Sequence, residues 1–132
     1  MMEIITQTII DVRNTLKDTK LYSINLGIFM RKARLDKRKT QTQVARALGV
    51  TFQQIQKYEK GTNAIGVYGL LLWWDYIKPN KDIGVTLKNC SDNVYLRQIF
   101  KISGNESQLE LVKDQVLKQQ VDYKRFDAFI DI

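Results

Sequence analysis

The stretch TQTQVARALGVTFQQIQKYEKG, residues 40–61, constrains the fold more than any other part of the chain. Thr40 is a good N-cap, and Gln43 three residues later completes a capping-box pattern. The helix it opens, residues 41–48, sets Val44, Ala45 and Leu48 on one face. Gly49 follows where a helix end favours a left-handed residue. Thr51 then caps a second helix, residues 52–60, which Gly61 closes in the same way. Helix, three-residue turn with glycine, helix is the helix-turn-helix arrangement. Ala45 is small where the two helices must approach closely, and Val50 and Ile55 are placed to fill the angle between them.

The flanking sequence is also mostly helical. Residues 3–17 place Ile5, Ile9, Val12 and Leu16 at helical spacing, an amphipathic helix, and residues 18–20 read as a linker. A further helix is expected over 23–35, with Leu26, Met30 and Ala33 as apolar positions, followed by a charged connection at 36–39. Residues 67–77 form an apolar helix that Pro79 stops, with Leu70, Trp73 or Trp74, and Ile77 covering the underside of the pair. One of the adjacent tryptophans is expected in the core, which leaves the other for a second interface. Beyond residue 82, Ile83, Val85 and Leu87 alternate as in a short strand or extended arm. Asp92 or Asn93 can cap a helix reaching residue 102, and Ser103-Gly104-Asn105 breaks it. Leu109, Val112, Val116, Gln119 and Tyr123 then alternate at spacings of 3 and 4. Such a stripe serves either a coiled-coil partner or packing within the same chain. The tail carries Phe126, Phe129 and Ile130. The expected architecture is mainly all-α, in three parts: an N-terminal helix and linker (1–20), a helix-turn-helix domain (21–80), and a C-terminal helical extension (81–132) that is a candidate dimerisation region.

Charge narrows the function. The net charge is +7, and residues 21–80 hold the whole excess, with ten Lys or Arg against Asp36, Glu59 and Asp75. A positive footprint confined to one segment suits a polyanion, because each neutralised phosphate releases counterions. The chain has no histidine and one cysteine, Cys90. Neither the commonest general base nor a zinc-type ligand set can be assembled from it, and no glycine-rich phosphate loop is present. No catalytic residue, metal or cofactor is therefore expected, and the protein is not expected to be an enzyme. A lone cysteine fits a reducing compartment, no apolar run is long enough for a membrane span, and no secretory signal pattern opens the chain, so a cytoplasmic, nucleoid-associated location is expected.

Residues 26–77 resemble the Cro/repressor-type helix-turn-helix proteins, the xenobiotic-response-element family of bacteria and phages. The matching pieces are Gly27, Arg31 and Arg34, Thr40-Gln41, Val44-Ala45, Leu48-Gly49-Val50-Thr51, Ile55 and Tyr58-Glu59-Lys60-Gly61. The wording FQQIQKYEKGTN is similar to a subgroup of alphaproteobacterial genomes and mobile elements, whose members often carry a short C-terminal helical region. The resemblance implies a lambda-repressor-like domain. One departure is Ala64-Ile65-Gly66 where the family often has proline or a basic residue. The N-terminal helix lies outside the resemblance altogether.

A recognition helix presents its first turn to base edges while neighbouring segments grip phosphates. Gln53, Gln54 and Lys57 lie on the outer face of residues 52–60 and are the base-reading candidates, since a glutamine amide pairs bidentately with adenine. Phe52 occupies a position where the family often contacts a base. Its ring either meets thymine methyls or packs under the preceding turn. The resemblance implies that Gln41 clamps a phosphate and braces a recognition-helix glutamine. Thr51, Lys60, Thr62 and Asn63 are the remaining phosphate candidates, and Lys39 and Arg46 are rim charges. The resemblance further pairs Glu59 with Arg34 as a structural ion pair. The expected function is sequence-specific binding of double-stranded DNA, as a repressor-like transcriptional regulator acting as a homodimer on a pseudo-palindromic operator. Two rival readings are an antitoxin-type protein that holds a protein partner through its N- or C-terminal extension, and a phage-encoded modulator that uses the basic face on RNA or the transcription machinery.

Overall fold

A computed structural model describes residues 2–102 and 104–118, with side chains from residue 18 onward and at Glu3, Thr6 and Gln7. Among the described residues the chain is helical throughout, without strands: α1 (Met2–Asp36), α2 (Gln41–Leu48), α3 (Phe52–Lys60), α4 (Val67–Ile77), α5 (Ile83–Ser91), α6 (Val94–Ile99) and α7 (Glu106–Leu117). The all-α helix-turn-helix architecture thus holds.

Helix α1 is the axis of the molecule. From Ile24 to Met30 every residue is buried, so this segment is enclosed on all sides. Helices α3, α5, α6 and α7 pack against α1, and α2 packs on α3 and α4. The linker expected at 18–20 is instead a continuous part of α1. Asp18, Thr19 and Lys20 are exposed, and Ser23 Oγ donates to the Thr19 carbonyl at 3.2 Å within the helix. Polar composition without glycine or proline marks a solvent-facing turn there, not a break.

Gly27 explains how closely α3 approaches. A Cβ at this position would lie 2.5 Å from the carbonyl oxygens of Tyr58 and Glu59. Backbone therefore meets backbone where the end of α3 crosses α1. The α1–α2 turn places Arg38 at φ 55, and the Arg34 guanidinium donates through Nη1 to the Lys39 carbonyl at 2.8 Å.

Three further expectations need correction. Residues 83–87 are helical, not extended: Asp82 caps α5 by accepting from the Val85 N–H at 2.9 Å. Thr86 and Cys90, four apart, are the residues α5 buries, whereas Val85 is exposed. Burial with helical period outweighs the local alternation. The helix expected to reach residue 102 stops at Ile99, and Asn93 does not cap it with its side chain. The Asn93 amide oxygen instead accepts from Asn25 Nδ2 at 3.0 Å. Asn25, fully buried, also donates to the Leu21 carbonyl and accepts from the Leu96 N–H at 2.9 Å. Every polar atom of that side chain is satisfied, which fastens α6 to α1. Finally, both tryptophans contact Phe29: Trp73 is tilted to its ring at 6.0 Å and Trp74 stacks on it at 5.5 Å. Two indoles span the angle between adjacent helix positions, so Trp74 belongs to the same aromatic cluster as Trp73.

The stripe of α7 packs within the chain. Leu109, Val112 and Val116 are all buried. Gln119, Tyr123 and the aromatic tail lie outside the described residues.

Candidate nucleic-acid interface

Capping fixes both helices of the motif. At α2 the Thr40 hydroxyl oxygen accepts from the Gln43 N–H at 3.1 Å, and the Thr40 N–H donates to Gln43 Oε1 at 2.8 Å. Gly49 ends α2 at φ 69. Thr51 then starts α3, its hydroxyl oxygen accepting from the Gln54 N–H at 3.1 Å. Gly61, at φ 73, ends it.

Within α3, Ile55 and Glu59 are buried. The opposite face presents Gln53, Lys57 and Lys60, all exposed, at spacings of four and three. Gln54 and Gln56 flank that line, each half-buried. Phe52, 39% exposed, sits at the border of the two faces, available to a ligand at the first turn. The Gln54 N–H of that turn is taken up by Thr51, which leaves the Phe52 and Gln53 N–H groups at the helix start without an intrahelical acceptor, as an anion site requires.

Glu59 fastens α3 to the rest of the domain. Arg34 donates to its carboxylate through Nε at 2.7 Å and Nη2 at 3.0 Å, a bidentate pair with both side chains buried. Arg31 Nη1 lies 3.9 Å from the same carboxylate. Gln41 Nε2 donates to Glu59 Oε1 at 3.0 Å. The amide of Gln41 thus braces α3 through its buried acid, whereas the resemblance assigned it a recognition-helix glutamine. Arg31 was absent from the ion pair as read from sequence, although its position one turn before Arg34 on α1 was a usable signal.

The loop after α3 folds back on it. The Lys57 carbonyl accepts from the Thr62 N–H at 3.1 Å, the Asn63 N–H at 3.4 Å and the Thr62 hydroxyl at 3.2 Å. Thr62 and Asn63 are exposed beside Lys60, but the Thr62 hydroxyl proton is already directed inward. Lys37, Arg38 and Arg46 are exposed. Lys39 is half-buried, its Nζ lying 5.3 Å from the centre of the Tyr76 ring.

Chemistry elsewhere is sparse. Burial pushes the Cys90 thiol up to about 12, so it stays protonated and is a poor nucleophile at neutral pH. Among the described residues no group of three or more Cys, Asp or Glu could hold a metal, and no helix is long and apolar enough to cross a membrane.

Fold and surface together define a helix-turn-helix module whose second helix, α3, presents a polar, cationic outer face. Residues 30–67 match the family model described as Helix-turn-helix. The chain is 49% identical over 43 residues to an uncharacterized HTH-type transcriptional regulator of Sinorhizobium medicae and, equally, to one of Rhizobium meliloti. It is 48% identical over 42 residues to another of that description from Sinorhizobium fredii. The first two matches cover 33% of this chain and 31% of each relative, and the third covers 32% and 29%. The chain therefore spans about a third of the length of the curated relatives it matches. No solved structure matches.

Proposed function

We propose that this protein is a sequence-specific reader of double-stranded DNA, a repressor-like transcriptional regulator that acts as a homodimer on a pseudo-palindromic operator. The observation that carries the reading is the outer line of α3, Gln53, Lys57 and Lys60, held on a helix whose buried face is locked by Glu59. The regulator names of the similar Sinorhizobium and Rhizobium proteins point the same way, as does the likeness of FQQIQKYEKGTN to the alphaproteobacterial and mobile-element subgroup.

In this reading α3 lies in the major groove. Gln53 pairs its amide with an adenine edge, Lys57 donates to guanine acceptors, Gln54 reads at the flank, and the Phe52 ring meets thymine methyls. The start of α3 at Thr51, the start of α2 at Gln41, and Lys60 with the Asn63 side chain hold the phosphates on either side, and the Thr62 hydroxyl joins them by turning from the Lys57 carbonyl. The protein acts in the cytoplasm, on the nucleoid, without a cofactor or catalytic step.

Selection of bound duplexes from a random pool tests this. The wild-type chain enriches a two-fold related pair of half-sites. Gln53→Ala relaxes preference at one position of each half-site by about 1–3 kcal/mol. Lys60→Ala weakens all sequences alike and lowers the salt slope by about one unit. Absence of any enriched sequence overturns the proposal.

A further inference from the structure

The turn between α4 and α5 borders a small-molecule site, and we infer that its ligand is a small organic anion with a neutral, amide-like edge, the chemistry of a nucleoside monophosphate. The inference goes beyond the reading of DNA and does not rest on it.

Two cavities share the wall formed by Asn80 and Lys81. The larger, about 310 Å³, lies between α5 and α6 and has the size of a small-ligand site. Three uncharged hydrogen-bonding side chains line it: Asn89 and Gln98, both half-buried, and Tyr95, buried. Asn89 Nδ2 reaches Tyr95 Oη only at 3.4 Å, beyond the usual range for such a bond. The Asn89 carbonyl oxygen and second amide proton are left for another partner. Val85 and Val94 supply the apolar part of the wall. The charged groups of this lining, Lys81 and Asp82, are both exposed. A neutral edge with adjacent donor and acceptor therefore suits the interior, where a charge would lack a counter-ion.

The smaller cavity, about 130 Å³, brings Lys37 of the α1–α2 turn to Lys81 of the α4–α5 turn, with Phe29, Ala33 and Pro79 as its apolar lining. The nearby acids are engaged elsewhere. Asp36 accepts from Lys32 Nζ at 2.7 Å, and Asp82 Oδ2 accepts from the Val85 N–H at 2.9 Å. Among the described residues neither Lys37 nor Lys81 has an ion pair. The shared wall is thus cationic and suits a phosphate, which lysine binds as a point charge. A nucleotide matches both halves. Its base edge meets Asn89, Gln98 and Tyr95, and its phosphate, a sugar's length away, meets Lys81 and Lys37. No residue of α3 lines either cavity, so the ligand does not occupy the outer face of that helix.

Titration calorimetry of the full chain, without DNA, provides the test. Adenosine, guanosine, cytidine and uridine monophosphate are each titrated alone, and at least one is expected to bind saturably, one per chain. Lys81→Ala, at an exposed position, is expected to weaken that nucleotide by roughly tenfold, the worth of one charge-assisted contact. The matching nucleoside, which lacks the phosphate, should bind wild type and Lys81→Ala alike. Asn89→Ala is expected to weaken nucleotide and nucleoside together. Val85→Trp, placing an indole at an exposed edge of the larger cavity, is expected to abolish both, with the circular dichroism and melting transition of the wild type retained. Absence of saturable binding by all four nucleotides overturns the inference. So does inorganic phosphate that binds as tightly as the nucleotide, which marks a bare anion site. Unchanged binding in Lys81→Ala and Asn89→Ala overturns it as well, and loss of binding in Lys57→Ala places the nucleotide on α3 instead. A chain that binds a nucleotide but selects no duplex overturns the DNA-reading proposal alone.

Discussion

At the residue scale, the arrangement around Glu59 decides how rigidly α3 is held. Its carboxylate is 3% exposed and receives donors from Arg34 and Gln41, with Arg31 close by. Removing the acid leaves Arg34, 5% exposed, without its carboxylate partner. Glu59→Ala is therefore expected to destabilise the fold by about 3–5 kcal/mol, measured by urea unfolding. An isosteric Glu59→Gln keeps one acceptor and is expected to lose less. Duplex affinity should fall with both, because the loss loosens the helix that carries Gln53 and Lys57. The Arg34–Glu59 pairing came from family resemblance and not from spacing, since residues 25 apart in sequence carry no periodic signal. The role of Gln41 as a donor to Glu59 was equally invisible, because it depends on how α2 and α3 cross.

At the element scale, Gly27 sets the crossing of α1 and α3. In an isolated helix, alanine is better than glycine by about 1 kcal/mol. Here a Cβ would sit 2.5 Å from two backbone carbonyl oxygens that cannot rotate away. Gly27→Ala is expected to destabilise by about 1–3 kcal/mol or more, read as a lowered urea midpoint. Gly69→Ala in α4 is the contrasting case. Its Cβ would meet only the Ile65 side chain, at 3.1 Å, and that chain can shift. Gly69→Ala is expected to be neutral or mildly stabilising. Local signals were reliable at this scale wherever a cap or stop signal marked the boundary: Thr40, Gly49, Thr51, Gly61 and Pro79 bracket α2, α3 and α4. They misled at 83–87, where alternation of Ile83, Val85 and Leu87 hid the Asp82 cap, and at 18–20, where polarity imitated a linker.

At the scale of the whole molecule, the chain has no histidine, and the groups whose titration burial perturbs are alkaline ones. Stability is expected to be flat across neutral pH. Desolvation holds the Cys90 thiol at about 12 against an ordinary 9.0, and it raises Tyr22 and Tyr95 as well. A raised folded-state value means the native state keeps protons that the unfolded chain releases. The stabilisation is therefore complete below about pH 9 and is lost as pH rises toward 12. Urea midpoints should decline above pH 9, and Cys90→Ala should flatten the first part of that decline.

Taken as a whole chain, the sequence by itself determined the helices of the motif, the confinement of positive charge to residues 21–80 and the absence of histidine chemistry. These are properties of caps, periodicity and composition, which act over a few residues or over none. Only the tertiary structure decided that α1 is one rod, that Asn25 and Asn93 fasten α6 to it, and that the α7 stripe is buried by its own chain. A helical face records that something apolar must cover it, but not whether that cover comes from the same chain. Long-range packing settles the point, because Leu109, Val112 and Val116 gain the same burial from any close-packed neighbour and this chain supplies one.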